Sequence, residues 1–245
     1  MTRKLGVVLL SGGLDSTTVA AQAVQAGYEV VAVTVHYGQV HSRELDSAKE
    51  VAEELRLRHE IVDVSFFSRL AWYSALTSPD RFDIPEGRSA EEMAADIPIT
   101  YVPMRNTFLL ALASAYLESH ALQELERDGG PSEPVQATLF IAANAIDYSG
   151  YPDCRPEFYE SLAETLRLGS KIGTQYGVPF EIATPLLHMT KADIVRHAVA
   201  IDAPLDKTWS CYEGGAVPCG RCDSCLLRAK GFAEAGVADP LMSLV

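Results

Sequence analysis

Leu9-Leu10-Ser11-Gly12-Gly13-Leu14-Asp15-Ser16 decides how the rest of the chain is read. An apolar run, Leu5 to Leu10, leads into it. Thr17 to Gln25 behind it has helical spacing, with Gly27 placed to stop the helix. The stretch is therefore a tight strand-to-helix turn. Gly12 and Gly13 adopt backbone angles barred to other residues and admit a ligand closely. The following helix offers unpaired N–H groups and the positive end of its dipole. Ser11 and Ser16 add hydroxyls, so Leu10 to Thr17, with Gly12, Gly13 and Leu14 at the bend, form a socket for phosphate or pyrophosphate. Asp15 is unusual in an anion socket. Its simplest roles are capping the helix or holding a divalent cation, Mg²⁺, that arrives with a nucleotide. A lone Gly-Gly would read as an ordinary capped turn, but Ser-Gly-Gly-x-Asp-Ser after a buried-looking strand favours phosphate binding.

No Gly-Lys-Ser/Thr closes the turn, which excludes the usual P-loop, and no Gly-x-Gly-x-x-Gly is present, which excludes the dinucleotide fingerprint. The string resembles the pyrophosphate loop of the N-type ATP pyrophosphatases, which split ATP between its α- and β-phosphates and activate a substrate as its adenylate. The 245 residues, 48% of them apolar, suffice for one α/β domain with insertions or a small appendage. No apolar run reaches the ~20 residues of a membrane span, and the first strand starts too early to leave room for a signal peptide, so a cytoplasmic protein is expected. Thirty-three acidic residues against 20 basic give a net charge of −13. That balance favours a small-molecule substrate over a nucleic acid, whose binding calls for a basic face.

Glu29 to His36 is a second strand, and its nearly continuous apolar run fits a parallel sheet covered on both faces. A helix is expected over Ser42 to Leu57 and a third strand over His59 to Val64. Strand, helix, strand, helix, strand opens a doubly wound sheet, whose ligands sit beyond the carboxyl ends of the strands. Thr34 to His36 is then the adenine-ribose wall. Tyr37-Gly38-Gln39 leaves strand two at that edge; on position alone its side chains read equally as surface or site. Phe66 to Leu76 reads as a short amphipathic helix, and the long loop at about 77–100 as a lid. A helix is expected over Thr107 to Leu122, with Asn106 or Thr107 as its cap. Arg105 stands just ahead, where a cation is unfavourable unless an anion lies beside it, so it reads as a phosphate or carboxylate contact.

A strand over Ala137 to Ala142 leads into Asn144-Ala145-Ile146-Asp147-Tyr148-Ser149-Gly150-Tyr151-Pro152-Asp153-Cys154-Arg155. Asn144, Asp147, Tyr148, Tyr151, Asp153 and Arg155 suit the polar edges of a ring. Asp153 reads as an acceptor for an amino-pyrimidine edge, Arg155 as a carboxylate grip, and Cys154 as a lining residue. Glu157 to Tyr176 is a helix and Phe180 to Ala183 a strand. Thr190 to Asp193 carries a capping-box pattern, which leaves Lys191 readable either as an exposed lysine or as a second cation for the phosphates. Cys211, Cys219, Cys222 and Cys225 have the close spacing of a four-thiolate site. Structural Zn²⁺ is the favoured reading and iron–sulfur its rival, with Lys207, Arg221 and Arg228 nearby to offset the negative charge.

These parts together resemble the 7-cyano-7-deazaguanine synthases of the queuosine pathway, the QueC family. The resemblance rests on Ser11 to Ser16, Tyr37-Gly38-Gln39, Pro103-Met104-Arg105-Asn106, the run Asp147 to Pro156 and the four cysteines. It implies a doubly wound, Rossmann-like sheet of the adenine nucleotide alpha hydrolase type. The ATP-binding α/β domain would span 1–205, and a small zinc-binding segment 206–245. It implies ATP and Mg²⁺ as reactants with 7-carboxy-7-deazaguanine and ammonia, and a homodimer. Asp15, Ser16, Arg105 and Lys191 are the expected catalytic set. Tyr37, Gln39, Asn106 and the polar run 144–155 would hold the ring. One alternative is a relative that hands the activated acid to a protein amine or a nucleic acid. Others are a tRNA-thiolating or lysidine-forming enzyme, and a nucleotide-sensing module without catalysis.

Overall fold

The computed structural model describes residues 2–38, 43–87, 97–128, 130–131, 133–144, 151–213 and 215–241. Five parallel strands form one sheet: β1 (Arg3–Leu9), β2 (Glu29–His36), β3 (Arg58–Asp63), β4 (Val135–Phe140) and β5 (Phe180–Ala183), in the order β3-β2-β1-β4-β5. The doubly wound α/β class expected from the sequence is what forms. The strand order reverses direction between β1 and β4, which opens a crevice at their carboxyl ends.

Alternation along the strands divides the core in two. Leu5, Val7, Val33, Val35, Ala137 and Leu139 face a cluster closed by α4 (Arg105–Leu125) and α5 (Pro156–Gly169). Val8, Val30, Ala32 and Phe140 face the other cluster, closed by α1 (Leu14–Gln25), α2 (Arg43–Glu54), α7 (Lys191–Ala200) and α8 (Asp223–Ala235). Leu110 and Leu117 on α4, and Ile194 on α7, are almost wholly enclosed, and cutting one back to alanine costs about 2–5 kcal/mol.

Several local expectations are corrected. The helix expected over 66–76 shrinks to α3 (Phe67–Leu70); Phe67, Ala71 and Ala75 are buried, but Phe66, Leu70, Trp72 and Tyr73 are exposed, so the apolar residues do not share one core-facing stripe. α4 starts at Arg105, and its cap is Met104 in a left-handed conformation (φ +58°), not Asn106 or Thr107. The helix expected over 157–176 breaks at Ser170, whose hydroxyl accepts from the Gly173 N–H and starts α6 (Lys171–Gln175). Of the loop at 77–100, residues 88–96 lie outside the described residues, as do Gln39, Asp147 and Tyr148.

Gly12 has φ +80°, and a Cβ there would stand 2.5 Å from the Glu44 carbonyl oxygen and 2.6 Å from the Ala48 nitrogen. Gly12→Ala therefore combines a left-handed backbone with a clash against α2. It is expected to destabilise the fold by about 2 kcal/mol or more, measured as a lower urea midpoint. Unfolding at the wild-type midpoint would refute this packing.

Candidate active site

The elbow is held by its own hydroxyls. The Ser11 N–H donates to Ser16 Oγ (3.2 Å), the Gly13 N–H to Ser11 Oγ (3.3 Å), and Ser16 Oγ to the Gly13 carbonyl (3.1 Å). The Thr17 N–H, donating to the Gly13 carbonyl, begins the helical ladder, so the N–H groups of Leu14, Asp15 and Ser16 are left for a ligand. Asp15 does not cap the helix; the cap is Gly13, with no side-chain bond. Asp15 instead pairs with Lys191, whose Nζ lies 2.8 and 3.0 Å from its two oxygens. Both groups are largely buried. The capping box of Thr190 and Asp193 starts α7 and so aims Lys191 at the elbow. A pocket of about 200 Å³ lies here, lined by Ser11, Gly13, Leu14, Ser16, Lys191, Ser210, Ser224 and Arg228. Thr17 is buried, and its hydroxyl has no partner among the described residues.

Beside it opens a cavity of about 280 Å³. Leu10, Val33, Thr34 and Val35 wall it from the strand ends, and Tyr37, Arg105, Asn106, Asn144, Tyr151 and Cys154 from the loops. The Thr34 hydroxyl donates to the Leu10 carbonyl (2.6 Å) and lies 2.7 Å from His59 Nε2, which fixes the ends of β1 and β2. His36 stands apart from the lining, its Nδ1 3.7 Å from Asp63. Burial tends to lower the Arg105 pKa, but the oxygens of Tyr37, Tyr151 and Asp153 outweigh it, so the guanidinium stays firmly charged. Asn106 and Asp153 hold each other: the Asn106 N–H donates to Asp153 Oδ2 (3.4 Å) and its Nδ2 to the Asp153 carbonyl (3.2 Å). The other carboxylate oxygen of Asp153 is buried without a hydrogen-bond partner among the described residues. Asn144 reaches the lining, but its amide nitrogen donates to the carbonyls of Leu186 and Met189, so it also braces the turn ahead of α7. Arg155 is exposed and outside the lining.

The cysteine segment closes the far wall. The Sγ atoms of Cys211, Cys219, Cys222 and Cys225 all lie within 4.8 Å of one another, a set that could hold a metal ion. The charge offset expected from Lys207, Arg221 and Arg228 does not arise, because each pairs with a carboxylate: Asp206, Glu86 with Glu213, and Asp239. Backbone N–H groups serve the sulfurs instead. Glu213 and Cys219 donate to Cys211 Sγ (3.4 and 3.3 Å), and Cys222 to Cys219 Sγ (3.4 Å). Cys211, Tyr212 and Ile84 all line the larger cavity. The Trp209 N–H donates to the Gly12 carbonyl (2.9 Å), joining this segment to the elbow.

A family described as queuosine biosynthesis protein QueC matches residues 5–236. The chain belongs to the QueC family. A relative from Thermoplasma acidophilum named 7-cyano-7-deazaguanine synthase is 49% identical over 241 residues, covering 98% of this chain and 92% of that one. One of the same name from Thermoplasma volcanium is 46% identical over 238 residues, covering 97% and 90%. Among solved structures, NMN synthetase from Francisella tularensis aligns with a TM-score of 0.43 at 17% identity, over 96% of this chain and 88% of that one, too weak a likeness to bear on function. No helix among the described residues is long and apolar enough to cross a membrane.

Among the lining residues that the sequence does not single out are Glu44, Tyr212 and Ser210. Glu44 lines both cavities but looks like any acid in the first turn of a helix. Tyr212 lies within the cysteine motif, where metal spacing dominates the pattern. Ser210, on the smaller pocket, carries no signal of its own.

Burial pushes the Cys154 thiol up to about 11, with the Asp153 carboxylate adding to the effect. The neutral form therefore dominates below that pH, and at pH 8 only about one molecule in a thousand is the thiolate. Alkylation of native Cys154 by iodoacetamide should be slow and should rise steeply with pH; fast labelling at pH 8, read by peptide mass spectrometry, would contradict this burial. A four-thiolate metal site here predicts that a chelator lowers Tm and shifts the emission of Trp209 to the red, because that ring is buried against the cysteine segment. Unchanged melting and emission after stripping would remove the metal from the fold.

Proposed function

We propose that the protein converts 7-carboxy-7-deazaguanine and ammonia to 7-cyano-7-deazaguanine, spending two ATP, in the synthesis of the queuosine precursor. One observation carries this reading. A hydroxyl- and lysine-lined phosphate socket and a ring-sized cavity with a charged arginine adjoin, sharing Ser11, Asp15, Ser16 and Glu44. An acid held in the second is thereby aligned on the α-phosphate of a nucleotide held in the first.

In the first round the substrate carboxylate attacks the α-phosphorus and pyrophosphate leaves into the socket. Ser11, Ser16, Lys191 and the open N–H groups of α1 stabilise the leaving charge. Ammonia displaces AMP from the acyl-adenylate and leaves the amide. In the second, the amide oxygen attacks ATP, and loss of AMP and protons yields the nitrile. Both rounds need only an oxygen aligned on the same phosphorus, so one site serves both. Mg²⁺, brought with ATP, would share the phosphate charge, and Asp15 is the carboxylate placed to hold it. Arg105 grips the substrate acid. Asp153 lines neither cavity and its unpartnered oxygen is buried, so it serves the ring side by holding Asn106 in place. Zn²⁺ is the metal proposed for the cysteines: bonds of about 2.3 Å in a tetrahedron place sulfurs about 3.8 Å apart, and four protein thiolates leave no open position for chemistry.

The test is to incubate protein, ATP, Mg²⁺, ammonium and the acid, following AMP and product mass. Nitrile with substrate-dependent AMP is expected; no substrate-dependent AMP would sink the reading. Asp15→Asn should cut AMP formation at least ~100-fold while leaving the circular dichroism spectrum unchanged, and normal turnover would strip Asp15 of its role.

A further inference from the structure

Glu44 has no part in the steps above, yet it stands where they meet. It lies in the acidic first turn of α2 and lines both the ring-side cavity and the phosphate pocket. Asp15 is the other acid on both linings, and Lys191 holds it. The elbow itself fixes the turn that carries Glu44, since Gly12 packs directly on the Glu44 backbone. Arg105 from the start of α4 and Tyr37 from the end of β2 face its carboxyl. Asp15, Lys191 and Tyr212 stand across the smaller pocket. Burial pushes the Glu44 carboxyl up to about 7 while Arg105 pulls it down, so near neutral pH it both takes and releases a proton.

In the proposed reaction the ring fills one cavity and diphosphate departs through the other, so the carbon that receives nitrogen lies at their junction. Resting on that reading, we propose that Glu44 is the catalytic base for the nitrogen. Ammonium gives its proton to the carboxylate. The freed lone pair forms the C–N bond, the C–O bond to AMP breaks with its electron pair leaving on AMP, and the extra N–H proton passes to solvent. In the second round the amide oxygen bonds to phosphorus and pyrophosphate departs. One N–H proton passes to solvent, and Glu44 takes the other as the C–O bond to AMP breaks and the nitrile forms. Between steps the carboxyl returns its proton to solvent.

Adenylation needs no such base, and neither does a nucleophile that is already unprotonated at neutral pH. The experiment compares wild type, Glu44→Gln and Glu44→Asp for three readouts: substrate-dependent pyrophosphate release without ammonium, amide and nitrile formation with ammonium, and hydroxamate formation with hydroxylamine. Glu44→Gln should keep pyrophosphate release and hydroxamate formation within about threefold of wild type and lose amide formation by about 100-fold or more. Glu44→Asp, which keeps the charge, should form amide faster than Glu44→Gln. The proposal is overturned if Glu44→Gln forms amide at the wild-type rate, if pyrophosphate release and hydroxamate fall along with amide, or if Glu44→Asp does no better than Glu44→Gln. Absence of substrate-dependent pyrophosphate release in the wild type is a separate result, which overturns the underlying reaction and this role with it.

Discussion

At Gly12 three parts of the chain meet around a residue that has no side chain. Its Cα faces the first turn of α2, its carbonyl accepts from Trp209 of the cysteine segment, and its left-handed backbone sends the chain from β1 into α1. Any Cβ would force α2 away, and with it Glu44. The same contact keeps the loop before Cys211 close enough for Tyr212 to line both cavities. The shape of the site follows from how nearly two backbones can approach.

Charge inside the site differs from charge outside it. The chain carries a net −13, yet its cavities gather Arg105, Lys191 and Arg228 with acids that are paired or pushed towards neutrality. The buried Arg228–Asp239 pair does architectural work. Its guanidinium also donates to Thr208 and Ser210, which flank Trp209 and so steady the contact with the elbow. An exposed pair such as Glu86 with Arg221 adds little energy by itself. It accompanies the short bridge between Glu86 and Cys222 that brings Ile84 against the cysteines.

What the sequence made legible was what local chemistry governs. The bounds of β2 and β5 match the expected spans, and the capping box at Thr190 forms as its spacing requires. Misreadings arose where distant packing decides. Apolar residues at 66–76 divide between the core and solvent instead of forming one buried stripe. The break at Ser170 depends on Gly173 lying close to the Arg167 carbonyl, where a Cβ would stand 2.2 Å away. α8 was not foreseen, because its start is also the end of a cysteine motif. In the site, the elbow, Tyr37 and Asn144 meet because each follows a strand end, while the start of α4 and the segment at Tyr151 bring Arg105, Asn106 and Tyr151 to the same edge. His36 and Arg155 do not join them, because a place near the right edge does not fix where a side chain points. The pairing of Asp15 with Lys191 spans 176 positions, and no local pattern could announce it.

The walls of the larger cavity come from β1, from β2 and the start of α2, from Ala75, Leu76 and Ile84, from Arg105, Asn106 and Leu109, from residues 141–144 with Tyr151 and Cys154, and finally from Cys211 and Tyr212. A ribosome delivers these in that order, so the strands and most helices are available for folding well before the last panel arrives. Trp209 and Tyr212 reach the elbow only after all five strands have been made. A growing chain thus has a sheet before it has a finished chamber.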